Sequence, residues 1–367
     1  MFWDNNTGND RIVLIIPNYT FSVDLEKDSF VDVIHSHIRA IKGVSWILPI
    51  PKGKGISKLN LPNVRQVEIN MSGNMIWMRS NLPLDMIKLL KDEKYDVVYS
   101  HLPDWHIGRF TKQPIIGYAH WFEMPECNGV SWLNHSLNFP HEVINLLDYD
   151  VCFVNTKEQR DMILSNGYTY FNSDVVRKLE GIIKVMNLGV DESKIVSEPN
   201  TDYEKIIVFN HRTETYKGWG KFVEWMKKYR ETRQDFIVWA PLLDKPNSES
   251  WIRTNKVGKD EYYKMLSKCC VCVQPKQLHA GWSVSATDCM MNGTPVLFGN
   301  QNCYYEIDNT ADTFDDYKEL KKKLDLYLDD RNYRMGRAEM VLKSVKRLVN
   351  NSENNIKTLT EYLVNPK

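Results

Sequence analysis

Residues 11–17 (RIVLIIP) form an unbroken apolar run of strand length. A helical pattern follows over residues 28–41, where Phe30, Val33, Ile34, His37 and Ile41 recur at near-helical spacing. Residues 46–50, 64–69, 96–99, 114–119 and 151–154 are further short apolar runs, and helical stretches such as 84–90 and 157–165 separate several of them. Runs that are apolar throughout, rather than at alternate positions, are covered on both faces. With helices between them they predict a parallel sheet.

The pattern then restarts. Residues 205–209 (KIIVF) read as a strand, and Phe222, Trp225, Met226 and Tyr229 fall at i, i+3, i+4 and i+7 of the helix after it. Residues 236–240, 270–273 and 295–298 are strands, and amphipathic helices run from residue 317 to about 348. A polar stretch at 187–200, holding Gly189 and Pro199, separates the halves. The expectation is two Rossmann-like doubly wound α/β domains facing a cleft, residues 1–190 and 191–349, with a terminal helix at 350–367 packing back on the first. Such sheets bind ligands at the carboxyl ends of their strands, so the cleft is the expected site.

Charge narrows the partners. The 367 residues carry 47 Lys+Arg and 47 Asp+Glu, which argues against a general polyanion binder. A local excess remains: residues 42–91 hold eight Lys/Arg and two acids, Glu68 and Asp85. The polar N-terminal stretch has no basic-then-apolar leader, and no apolar run is long enough to span a bilayer. Seven cysteines, an odd number, then read as reduced thiols in a cytoplasm, the host's if the chain is viral. Cys269, Cys270 and Cys272 are close in sequence, but they lie in an apolar strand and lack a fourth ligand, so no metal is expected.

Three features of the second half suit a diphosphate. Arg212 and Lys217 sit in one loop at a strand's carboxyl end, where two fixed cations match a pyrophosphate. Ala280-Gly281-Trp282-Ser283 is a small turn entering a helix, whose free N–H groups hold phosphate while Gly281 permits close approach. Asp288, further along that helix, can accept hydrogen bonds from a ribose diol. Asn292-Gly293-Thr294-Pro295 ends the helix, with Gly293 as a left-handed cap.

These residues resemble the donor domain of retaining GT-B glycosyltransferases of family 4. That family has an Arg with Lys-Gly five residues on, as in Arg212 and Lys217-Gly218, and a Gly-aromatic turn entering a helix. There follows an acid and a Gly-Thr-Pro-Val, as in Asp288 and Gly293-Thr294-Pro295-Val296. The family's interdomain Asn-Gly-Val-Asp is similar to Asn187-Leu188-Gly189-Val190-Asp191, with one residue inserted. The resemblance implies that Arg212 and Lys217 neutralise the donor diphosphate beside Gly281, Trp282 and Ser283. It implies that Asp288 binds the ribose, and that His120 lies near the reacting sugar. No cofactor or metal is implied, and a UDP-sugar is the favoured donor. Two departures stand out. The family's sugar-binding glutamate is replaced by Ala280, preceded by His279, and the Gly-Gly loop after the first strand is absent, with Pro17-Asn18-Tyr19-Thr20-Phe21 in its place.

The acceptor is less marked. Glu123 and His120 are candidate proton acceptors, with Asp104 and His106 as others, and Trp77, Trp105, Trp121 and Trp282 occupy loops or turns where sugars or bases stack. Lys52, Lys54 and Lys58 in a Gly-containing loop, then Arg65 and Arg79, suit phosphates. The compact chain and departed motifs are similar to phage DNA-modifying glycosyltransferases, which implies a hydroxylated or hydroxymethylated pyrimidine in double-stranded DNA as acceptor. A polysaccharide, lipid-linked or protein acceptor stays open. So do an inactive sugar-nucleotide or DNA-binding module and an epimerase of the same architecture.

Overall fold

A computed structural model describes residues 11–18, 25, 29–70, 82–127, 135–243 and 249–365. The N-terminal ten residues, Tyr19–Phe21, Trp77 and Arg79 lie outside them. Seven strands, β1 (Arg11–Ile16), β2 (Val44–Pro51), β3 (Val64–Ile69), β4 (Val97–Ser100), β5 (Ile115–Ala119), β6 (Val151–Val154) and β7 (Ile183–Val185), form one sheet. Its order is β3-β2-β1-β4-β5-β6-β7, with every pairing parallel. Among the described residues, five helices accompany it: α1 (Ser29–Ala40), α2 (Leu84–Asp92), α3 (His135–Leu146), α4 (Lys157–Tyr170) and α5 (Ser173–Ile182).

The second sheet has six strands, β8 (Glu204–Val208), β9 (Ile237–Trp239), β10 (Ile252–Arg253), β11 (Cys269–Gln274), β12 (Val296–Gly299) and β13 (Asp312–Phe314). They run parallel in the order β10-β9-β8-β11-β12-β13. Its helices are α6 (Trp219–Arg230), α7 (Lys259–Lys268), α8 (Val284–Met291), α9 (Asn302–Ile307), α10 (Tyr317–Asp329) and α11 (Arg331–Val364). The reversal of strand order beside β1 and beside β8 marks the switch points, where loops part to opposite faces and leave a crevice.

Inner strands of each sheet are buried on both faces, as the apolar runs require. All eight residues of β2 and all six of β11 are buried. β11 serves both cores, with a register shift between Cys269 and Val271: Cys269 and Cys272 pack beside Val208 and Trp239, while Cys270 packs beside Phe222 and Leu324. Cys270 therefore faces the opposite side of the sheet from Cys269 and Cys272, and the three cannot converge on one ion. Gly293 has φ +68°, the left-handed cap that the sequence predicts.

The helical region after residue 317 is divided. Asp330 ends α10 and caps α11, its carboxylate accepting the Tyr333 N–H at 2.9 Å. From there α11 crosses both domains. Val341, Leu342, Val345 and Leu348 pack in the second domain, and Leu359 and Leu363 in the first. No helix among the described residues is long and apolar enough to cross a membrane.

Between the sheets the chain passes under α11 at Gly189. A Cβ there would lie 2.0 Å from Ser352 Oγ and 2.4 Å from Ser352 N. The crossing is pinned by Ser352 Oγ to Val190 O at 3.0 Å and Asn355 Nδ2 to Asn187 O at 2.7 Å. Gly189→Ala is expected to destabilise the chain by about 1–3 kcal/mol, because helix backbone cannot yield as a side-chain tip does. Urea unfolding measures this, and Ser352→Ala in the same chain should not restore the loss.

Candidate functional site

The carboxyl ends of β8 and β11 carry the second domain's polar residues. Phe209-Asn210-His211-Arg212 leaves β8, and the segment from Pro275 to Ser283 joins β11 to α8. Asn210 is buried, its amide donating to the Ser285 carbonyl at 2.7 Å and Tyr262 Oη at 3.0 Å. His211 meets Ser285 Oγ through Nδ1 at 3.0 Å, and Ser283 Oγ and Gln274 Oε1 through Nε2. Its imidazole is held neutral by burial and then by the Lys217 charge.

Lys217 lies at the centre. Its ammonium donates to Gln277 Oε1 at 2.7 Å and stands 3.3 Å from His279 Nε2. Burial, and then the Arg212 guanidinium, lower its pKa to about 7. Arg212 is exposed, bonded to Tyr216 Oη at 3.2 Å and 3.7 Å from Glu214. Ser283 caps α8, accepting the Ala286 N–H at 3.2 Å. Gly281 leaves room for His279: a Cβ would stand 2.8 Å from the ring's Cδ2 and 3.0 Å from Nε2. Asp288 is half-buried beside Tyr262, at 3.3 Å, and burial pushes its carboxyl up to about 6.

Ala280 has φ +47°, a left-handed conformation that costs an L-residue about 1–2 kcal/mol. Its carbonyl is turned to the first domain, where it accepts Thr156 Oγ1 at 2.6 Å. The position that carries a glutamate in the resembled family thus holds a domain contact. His279 is the side chain beside the lysine.

From the first domain, Trp121 closes on this group. Its ring stands 4.9 Å from His279 and 5.1 Å from Tyr216, between centroids, and those two rings are 5.4 Å apart. The sequence expectation that Glu123 takes a proton from an acceptor meets a different geometry. Glu123 is fully buried, its Oε1 accepts the Trp121 indole N–H at 2.9 Å, and its backbone N–H donates to Glu142 Oε2 at 2.8 Å. It fixes Trp121 from behind. Glu142 itself is pushed well above the usual carboxylate range by burial and then by Asp104.

His120 ends β5 and is half-buried. Its ring stacks on His101 at 5.7 Å and 15° and meets Tyr118 edge-on at 4.5 Å. Burial lowers its pKa to about 3, and that of His37 to about 4, so both are neutral at pH 7. His101, at the end of β4, escaped the sequence reading although a signal was present: Tyr99-Ser100-His101 and Tyr118-Ala119-His120 repeat one pattern on adjacent strands.

The other expected residues fall away from this group. Trp105 and Trp282 pack in the cores, not in the open for stacking. His106 bonds Asp148 at 2.9 Å. Lys58 pairs with Asp32 at 2.7 Å and Arg65 with Glu93 at 2.5 Å, so two of the five expected phosphate contacts are neutralised within the domain. Lys52 and Lys54 are exposed beyond β2.

No family model and no curated protein matches the chain. Solved structures do. The sucrose-phosphate synthase tll1590 from Thermosynechococcus elongatus is 13% identical, with a TM-score of 0.69 over 96% of this chain and 99% of that one. Alr3699/HepE from Anabaena, solved with UDP and glucose, is 11% identical, with a TM-score of 0.68 over the same shares. A UDP-forming α,α-trehalose-phosphate synthase from Burkholderia xenovorans is 11% identical, with a TM-score of 0.65 over 97% and 99%. The fold is therefore that of the two-domain GT-B glycosyltransferases.

Replacing Lys217 separates function from stability. A lysine whose pKa is lowered on folding destabilises the fold below its unfolded pKa, because the unfolded chain binds the extra proton. Lys217→Met is expected to raise unfolding stability near pH 7 by about 1–2 kcal/mol, read by urea unfolding. The gain should vanish toward pH 10.

Proposed function

We propose that the chain is a retaining glycosyltransferase that moves a sugar from a nucleoside-diphosphate sugar, a UDP-sugar by preference, to an acceptor hydroxyl. The observation that carries this reading is the half-buried Lys217 ammonium at the strand ends of one domain, with Arg212 in the same loop and Trp121 of the other domain closing over it. A cation shed of water is worth most against charge that grows during reaction, as on a departing diphosphate. The C1–O bond to phosphate breaks as the acceptor oxygen bonds C1 on the same face, and the acceptor proton passes to the released phosphate oxygen. Arg212 and Lys217 stabilise that oxygen's charge. Neutral His120 offers a hydrogen bond to sugar or acceptor, and Asp288 accepts from the ribose when ionised.

For the acceptor, Lys52 and Lys54 support the reading toward a hydroxylated or hydroxymethylated pyrimidine in DNA. The test incubates the protein and UDP-glucose with DNA carrying hydroxymethylcytosine or hydroxymethyluracil, and follows mass gain on the base. Transfer retained in full by Lys52→Ala plus Lys54→Ala would exclude that loop as the contact.

Donor binding is read by calorimetry with UDP. A charged hydrogen bond to phosphate contributes about 1.5–3 kcal/mol. Arg212→Ala should thus weaken UDP by about tenfold, and Arg212→Ala plus Lys217→Ala by a hundredfold or more. Affinity should peak between pH 6 and 7, where Asp288 is ionised and Lys217 still protonated, and fall on either side. Wild-type protein that binds no nucleoside diphosphate would refute the proposal.

A further inference from the structure

The domains meet through two glutamates outside the proposed chemistry. Glu158, at the start of α4, accepts the Cys303 N–H in the first turn of α9 at 2.7 Å. Glu306, near the end of α9, accepts the Lys157 N–H at 2.8 and 3.0 Å and Asn187 Nδ2 at 2.7 Å. Each domain thus ties down backbone at a helix start of the other.

The first turn of α9 continues to the donor side. Gln301 forms a two-way pair with the backbone of Gln277, its Oε1 accepting the N–H at 2.8 Å and its Nε2 donating to the carbonyl at 2.9 Å. Tyr304 accepts Gln277 Nε2 at 3.0 Å and is anchored on the Pro275 carbonyl at 2.6 Å. Gln277 is buried, and with its NH₂ committed to Tyr304 its Oε1 must face the Lys217 ammonium. A flipped amide would set N–H against N–H.

We infer that Glu158 is a positioning residue for Lys217: from the opposite domain it fixes the first turn of α9, which fixes Gln277, which holds the ammonium in place. The contact exists only with the domains together, so closure and the lysine's placement are one event. This rests on the reading of Lys217 as a donor ligand. Without Glu158 the Cys303 N–H loses its acceptor at the domain contact, and α9 is free to part from α4.

Two measurements on Glu158→Ala and Glu158→Gln test it. The first needs no nucleotide: Lys217 acetylation rate is followed against pH by mass spectrometry. The wild-type midpoint should lie near 7. Glu158→Ala should move it up by a unit or more, as the ammonium gains water. Glu158→Gln, whose amide oxygen still accepts from Cys303, should stay near wild type. An unchanged midpoint in a folded Glu158→Ala protein overturns the inference. If that variant does not fold, Glu306→Ala loosens the same contact and should give the same upward shift. The second is UDP calorimetry, where Glu158→Ala should weaken binding at least fivefold and Glu158→Gln less than twofold. Equal affinities overturn the inference as well. Wild-type protein that binds no UDP overturns the donor reading instead, and the acetylation profile then decides the placement by itself.

Discussion

One enclosed charge organises this molecule. Lys217 keeps its ammonium in a site where burial and Arg212 disfavour ionisation, and its hydrogen-bonding partners among the described residues are the Gln277 amide oxygen and His279. Such a group is unstable in its charged form until an anion arrives. The imidazoles beside it follow the same logic: His211 and His279 are held neutral by burial and then by the Lys217 charge, so they crowd the site without adding to the repulsion.

The domain contact serves that charge. Trp121, steadied by the buried Glu123, lies against Tyr216 and His279, and Thr156 bonds the strained Ala280 carbonyl. The loop that carries His279 and Ala280 is therefore shaped partly by the opposite domain. Where the resembled family carries a glutamate, Ala280 offers no side-chain acceptor, and His279, with Gly281 cleared beneath it, stands beside Lys217.

Much of the fold was legible in the sequence because parallel strands covered on both faces leave unbroken apolar runs. Residues 64–69 and 151–154 match β3 and β6 to the residue. The short outer strands β7, β10 and β13 were not, since two or three residues with polar neighbours have no period to read. Among the expected site residues, Arg212, Lys217, Gly281 and Asp288 belong to local patterns that a sequence displays. Gln277, Gln301, Glu158 and Glu306 belong to none, because their meaning lies in contacts between residues as many as 149 positions apart. Tryptophans show the limit most plainly: Trp121 and Trp282 both sit in turns, and only packing reveals that the first meets the cleft and the second the core.

The most direct test is NMR of protein carrying ¹⁵N at lysine Nζ, with Lys217 assigned by its loss in Lys217→Met. Titration without ligand should give a midpoint near 7, and saturating UDP should carry it above 9 as the diphosphate stabilises the ammonium. A lysine titrating at its ordinary value, with or without UDP, would contradict the central claim.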